Sequence, residues 1–245
     1  MKALVFAAGL GTRLKPLTDT MPKALVPVGG KPLLCHVISR LKDAGIDDVV
    51  VNVHHFADQI INYLKEQDNF GIKISVSDER DLLRETGGGI RHARRFLEGG
   101  PFLVHNVDIL SDLDIPWFIS QARPGAIATV LVSDRKTKRY LLFDDDMRLV
   151  GWTNIETGEV KSPYSGLDPT KCHRYAFSGV HLISDGIFTI FEDDGWGERF
   201  PIMDFYIKEC ASYPIYGVLP KSLRMMDVGK LETIEEAETF LKTLK

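Results

Sequence analysis

The 245-residue chain is short of cysteine, of excess positive charge and of long apolar runs, and each shortage closes a class of function. Its three cysteines, Cys35, Cys172 and Cys210, are far apart and in no C-x-x-C spacing, which argues against a disulfide framework and a thiolate zinc site. Lys and Arg total 30 against 34 Asp and Glu, a formal net charge of −4, so nothing pulls the whole molecule toward nucleic acid or anionic lipid. Neither is expected as a partner, and any phosphate binding must be local. The opening apolar run stops at Gly9, too short for a signal-peptide core or a membrane span, so the expected location is cytoplasmic. Internal repeats and low-complexity tracts are missing too. What is there is ordinary globular usage, 44% hydrophobic and 26% charged, in a length that suits one compact domain over 1–245.

The first half alternates strand-like and helix-like stretches, the pattern of βα units stacked on a mostly parallel sheet. Residues 4–8 read as a buried strand. Leu34, Val37, Ile38 and Leu41 then repeat at helical spacing up to Gly45, a suitable residue just past a helix end. Residues 48–53 form a valine-rich strand, Ile60, Ile61 and Leu64 a helix stripe, and residues 72–76 a strand. Ile90, Ala93 and Leu97 mark a short helix behind the glycines at 87–89. The strand at 101–106 delivers Asp108 just past its carboxyl end, where open α/β sheets bind ligands. This nucleotide-binding half, 1–112, gives way to a β-rich half, 113–245, with strands at 127–132, 140–143 and 175–183 and a turn at Asp144-Asp145-Asp146. Residues 153–173 read as a long loop or β-arm over a cleft, and Ile234, Ala237, Leu241 and Leu244 as a closing amphipathic helix.

The most informative string is Ala7-Ala8-Gly9-Leu10-Gly11-Thr12-Arg13-Leu14-Lys15-Pro16-Leu17-Thr18, followed by Met21-Pro22-Lys23. Glycines after a buried strand let backbone N–H groups approach phosphate oxygens, Arg13 adds a planar two-point fork, and Lys23 a second positive charge. The dinucleotide fingerprint needs a glycine where this chain has Leu14, and the P-loop string is absent. A lone G-x-G would otherwise be a βα turn with surface cations beside it.

The full string G-x-G-T-R-L-x-P-L-T with P-K following resembles the signature of the sugar-1-phosphate nucleotidyltransferases. Phe70-Gly71-Ile72, Glu85-Thr86-Gly87-Gly88-Gly89-Ile90, Asn106-Val107-Asp108, Phe177-Ser178-Gly179-Val180 and Asp227-Val228-Gly229 fall in the family's order. The resemblance implies a Rossmann-like, GT-A-like fold: a mixed, mostly parallel sheet flanked by helices, with a small β-rich sugar-binding arm. It implies an enzyme that joins a nucleoside triphosphate to a sugar 1-phosphate, releasing pyrophosphate, with Mg2+ held by Asp108 and Asp227. Arg13, Lys23 and Asp108 would be catalytic. Ala7, Ala8, Gly9, Gly11, Thr12, Arg13, Lys23 and Gly88 would bind the nucleotide, the glycines at 87–89 leaving room for a flat base. Asn106, Phe177, Ser178, Gly179 and Lys161 would bind the sugar. The segments are most similar to family members that take UTP and N-acetylmuramic acid 1-phosphate in cell-wall sugar salvage. Mannose or heptose 1-phosphate with GTP and glucose 1-phosphate thymidylyl or uridylyl transfer stay open, as does a homo-oligomer.

One departure concerns the sugar side. The E-K-P segment of other members has only Glu159-Val160-Lys161-Ser162-Pro163 as a counterpart, leaving Lys161 a weak match for the sugar-phosphate anchor. A rival reading is a glycosyltransferase using Asp112-Leu113-Asp114 as a D-x-D metal motif, although a diphosphate-binding enzyme has no need of the G-x-G-T-R-L loop. A non-catalytic sensor on the same fold is the third alternative.

Overall fold

The structure, a computed structural model, describes residues 1–244. β1 (Lys2–Phe6) runs into a loop that returns as the short hairpin β2 (Pro27–Val28) and β3 (Lys31–Pro32), from which α1 (Leu33–Asp43) leaves. β4 (Asp48–Val53), α2 (Ala57–Glu66), β5 (Lys73–Asp78), α3 (Glu85–His92), α4 (Arg94–Leu97) and β6 (Phe102–Asn106) complete the βα half. The second half holds β7 (Ile109–Ser111), α5 (Ile115–Ser120), β8 (Ala128–Ser133), β9 (Arg139–Phe143), β10 (Leu149–Asn154), β11 (Glu159–Lys161) and β12 (His173–Ile183). It closes with α6 (Ile187–Asp193), α7 (Ile202–Glu209), β13 (Ile215–Val218), β14 (Met225–Asp227) and α8 (Thr233–Thr243).

One ten-stranded sheet runs through both halves in the order β11-β10-β9-β12-β6-β1-β4-β5, with β8 on β12 and β13 on β8. β1 is parallel to β4 and β6, and β4 to β5. The antiparallel pairing of β12 with β6 joins the halves. Strands covered on both faces become nearly continuous apolar runs, as in Ala3, Leu4 and Val5 of β1 and Val49, Val50 and Val51 of β4. On one face α1, α2 and α8 pack, α1 through Leu34, Val37, Ile38 and Leu41. It stops at Gly45, whose φ of +79° follows the last turn and whose N–H donates to the Lys42 carbonyl at 2.9 Å. The other face carries α3, α4, α6 and α7, centred on Phe191, Phe205 and Tyr206. Truncating such an aromatic to alanine costs about 3–5 kcal/mol.

Three features differ from the sequence reading. The glycines at 87–89 lie inside α3 rather than ahead of a helix, because helix and neighbouring chain approach so closely that only glycine fits. α6 and α7 arise from short aromatic and aliphatic runs whose periodicity alone does not separate helix from strand. β7 and β14 are three-residue strands that exist only because distant segments pair. Among the described residues, no helix is long and apolar enough to cross a membrane.

Candidate active site

The loop after β1 is held by its own letters. Gly11 has φ +63°, and a Cβ there would come within 2.9 Å of Thr18 Cγ2 and 3.0 Å of Lys23 Cβ. Its carbonyl accepts from the Leu14 N–H and the Thr18 hydroxyl, both at 2.8 Å, while the Leu14 side chain is fully buried. Gly11, Leu14 and Thr18 therefore lock the bend that leaves Thr12 and Arg13 exposed on its outer side.

A buried brace fixes where the loop begins. Asn52 Oδ1 accepts from the N–H groups of Ala7 (2.7 Å) and Ala8 (3.2 Å), and Asn52 Nδ2 donates to Glu79 Oε1 at 2.9 Å. Burial pushes the Glu79 carboxyl above its ordinary pKa, opposed by the bonds from Asn52 and the Arg84 backbone. Neither residue belongs to a motif, yet Asn52 is the one polar residue inside the Val49–Val53 stretch of β4, which is a legible signal.

Long-range strand pairing brings the two aspartates together. Asp108 lies in the turn between β6 and β7, Asp227 ends β14, and β14 pairs antiparallel with β7. The Val228 N–H donates to the Asp108 carbonyl at 2.9 Å. Lys23 Nζ donates to Asp108 Oδ2, and both side chains are mostly buried. The pKa of Asp227 is raised, by desolvation first and then by the like charge of Asp108; Lys23, Arg13 and Arg135 oppose the rise. Asp227 keeps access to solvent by surface area, so desolvation acts weakly there and the neighbouring carboxylate is the more dependable cause. At Gly229 a Cβ would lie 2.9 Å from Asp227 Oδ1 and 3.5 Å from Arg13 Nη2, which places the guanidinium near the Asp227 carboxylate.

Two clefts meet at this point. The first, about 570 Å³, is lined by residues 6–13, Lys23, Asn52, Glu79, Glu85, Asn106, Asp108 and Gly229 among others. The second, about 660 Å³, is lined by Arg135, Thr137, Arg139, Trp152, Asn154, Lys161, Phe177 and neighbours. Arg13 lines both. The structure thus gathers Ala7, Ala8, Gly9, Gly11, Thr12, Arg13, Lys23 and Asp108 around the first cleft, with Asp227 beside its rim, and puts Phe177 and Lys161 in the second.

Four expected residues sit elsewhere. Gly88 is buried and lines neither cleft; a Cβ there would strike the Glu198 carbonyl at 2.1 Å, so close packing of α3 against the chain ahead of α7 by itself requires the glycine. Ser178 is fully buried and donates to Ser133 Oγ at 3.1 Å. Gly179 has φ +74° at an irregularity of β12, where a Cβ would fall 2.6 Å from Ile109 Cγ1, so it shapes the turn that carries Asp108. Asn106 lines the first cleft, not the second. The D-x-D string of the rival reading is used structurally: Asp112 pairs with Arg224 at 2.7 Å, and Asp114 accepts the Trp117 N–H at the start of α5. Arg135 and Arg139 add to the second cleft beyond the expected residues, and their sequence signal is the basic run Arg135-Lys136-Thr137-Lys138-Arg139 that leads into β9.

Residues 2–143 match the family described as Nucleotidyl transferase. A protein of Caulobacter vibrioides named N-acetylmuramate alpha-1-phosphate uridylyltransferase is 34% identical over 246 residues, covering 98% of this chain and 96% of its own. One of the same name from Neisseria meningitidis is 46% identical over 114 residues, 46% of this chain and 49% of its own. The inositol-1-phosphate CTP transferase of T. maritima shares the fold with a TM-score of 0.78 at 15% identity, over 100% of this chain and 96% of that one.

Proposed function

The chain belongs to the nucleotidyl transferase family, and on that premise we propose that it transfers a uridylyl group from UTP to N-acetylmuramic acid 1-phosphate, giving the nucleoside-diphosphate sugar and pyrophosphate. The observation that carries this reading is the place of Arg13, which lines two adjoining clefts at the point where Lys23, Asp108 and Asp227 converge. The triphosphate fits the first cleft, against the exposed backbone of residues 9–12, and the sugar 1-phosphate the second. Two anions then meet over a cluster of positive charge.

In this arrangement the sugar phosphate oxygen attacks the α-phosphorus and pyrophosphate leaves. Phosphoryl chemistry of this kind asks the protein mainly for position and charge compensation. Arg13 spans the two phosphates, and Lys23, oriented by Asp108, faces the α-phosphate where negative charge builds. The brace of Asn52 on Ala7 and Ala8 keeps the loop in one place, so that geometry is set before substrate arrives.

The donor set suits a hard divalent cation. Two carboxylates stand close enough for one to raise the other's pKa, and both offer hard oxygen donors. That is the sparse protein coordination Mg2+ favours, with phosphate oxygens and water completing the shell. Asp108 and Asp227 would hold it, and it would supply positive charge to the transferring phosphoryl group.

The test is pyrophosphate release across the four nucleoside triphosphates and the 1-phosphates of N-acetylmuramic acid, N-acetylglucosamine, glucose and mannose, with and without Mg2+. UTP with the muramic acid derivative should give the highest kcat/KM. Preference for GTP with mannose 1-phosphate would overturn the substrate pair, and no release from any combination would overturn the reaction.

A further inference from the structure

The second cleft carries more positive charge than a sugar phosphate needs. Strand register arranges one wall of it in two cross-strand rows, Arg139–Asn154–Glu159 and Leu141–Trp152–Lys161, and all six side chains line the cleft. The reacting end is already served: Arg13 lies beside Gly229, and Arg135 acts on Asp227 while donating from Nη2 to the Phe177 carbonyl at 3.2 Å. The ring of a hexose finds an aromatic surface in Trp152 and polar groups in Asn154 and Thr137.

Arg139 is then left over. Its backbone N–H donates to Thr137 Oγ1 at 3.4 Å, but among the described residues its guanidinium makes neither ion pair nor hydrogen bond. Lys161 stands on the other side of β10, 5.4 Å from the Trp152 ring centre, and is tied only to Glu159 at 3.5 Å through a half-exposed pair that solvent screens. A neutral sugar hydroxyl gains little from an unpaired guanidinium, whereas a carboxylate matches its planar fork at two points.

We infer that Arg139, supported by Lys161 across β10, forms a carboxylate subsite that selects sugar 1-phosphates bearing an acidic substituent. The inference rests on the sugar 1-phosphate reading above and names the part of the cleft that decides between acidic and neutral sugars. N-acetylmuramic acid is N-acetylglucosamine with a lactyl ether, so the pair of 1-phosphates differs by the group in question.

The experiment measures kcat/KM with UTP for both sugar 1-phosphates in wild type, Arg139→Gln and Arg139→Lys. The ratio in favour of the acidic sugar should fall roughly tenfold or more in Arg139→Gln, with partial recovery in Arg139→Lys. Methyl esterification of the lactyl carboxylate removes the same interaction from the ligand side, so it should cost wild type a factor of similar size and Arg139→Gln much less. An unchanged ratio in Arg139→Gln, or an ester penalty equal in both enzymes, would overturn the subsite while leaving the reaction standing. Turnover of neither sugar with any of the four nucleoside triphosphates would remove the sugar 1-phosphate reading and the subsite with it.

Discussion

The two clefts are built in opposite ways. The first takes its longest wall from one contiguous segment, residues 6–13, in a loop where Gly11 turns the chain, Leu14 anchors it and Thr18 ties it back. The second is assembled from β9, β10, β11, β12 and α7, none contributing more than a few side chains. A function written in a contiguous string leaves a motif, whereas one written in strand register leaves only scattered residues of suitable chemistry. The seam between the clefts, Asp108 with Asp227, belongs to both kinds: a string delivers the first carboxylate and strand pairing the second.

That contrast breaks first at the seam. Asp108→Asn should lower turnover by about two to three orders of magnitude, the usual scale for losing one electrostatic stabiliser of a transition state. A rate within a factor of a few of wild type in pyrophosphate release would remove Asp108 from the chemistry. Glycine substitutions sharpen the comparison at the level of folding. Gly11→Ala, at φ +63° with its Cβ 2.9 Å from Thr18, meets both backbone strain and a clash, and should cost about 1–3 kcal/mol in denaturant unfolding. Gly158→Ala on the arm, at φ +73° with nothing within 4 Å, carries strain alone and should cost less. Equal losses would contradict the claim that the first loop is locked and the arm is not.

The shared scaffold sets the pH limits. Burial pushes His105 down to about 4 and His181 down to about 3 from 6.5. Both fold neutral, so the unfolded chain binds more protons below pH 6.5; stability is fullest above that value and falls as pH drops toward 4. Unfolding free energies at pH 7.5, 6 and 5 should decline in that order, and a flat series would contradict the assignment. The smallest effect belongs to Asp227. Its raised pKa means that without metal the ionised form weakens the fold as pH rises through that pKa, an effect that solvent screens at this exposed position, so Asp227→Asn should slightly raise the Tm of the metal-free protein at neutral pH while lowering turnover. Added Mg2+ should stabilise wild type and not the variant. A lower Tm in metal-free Asp227→Asn would argue against the repulsion.

Legibility in the sequence followed the same division. The βα half could be read because strands buried on both faces become valine runs and α1 shows a clean stripe ending at Gly45. Gly88, Ser178 and Gly179 show the limit: the letters stand out in the sequence, but the structure engages them in packing against Glu198, a hydrogen bond to Ser133 and a close approach to Ile109. Arg139 and Asn154 could not be joined from sequence because a whole hairpin separates them, and only the register of β9 with β10 sets them side by side.

The central claim is that Arg13, Lys23, Asp108 and Asp227 form one centre at which phosphates from two clefts react. Label in the α-phosphorus of UTP tests it most directly, followed in the presence of N-acetylmuramic acid 1-phosphate and Mg2+ with wild type, Asp108→Asn and Asp227→Asn. The account predicts that wild type moves the label into the nucleoside-diphosphate sugar and leaves none in pyrophosphate, and that both variants are slowed by about two orders of magnitude or more. Label appearing in product at the wild-type rate in either variant would contradict it.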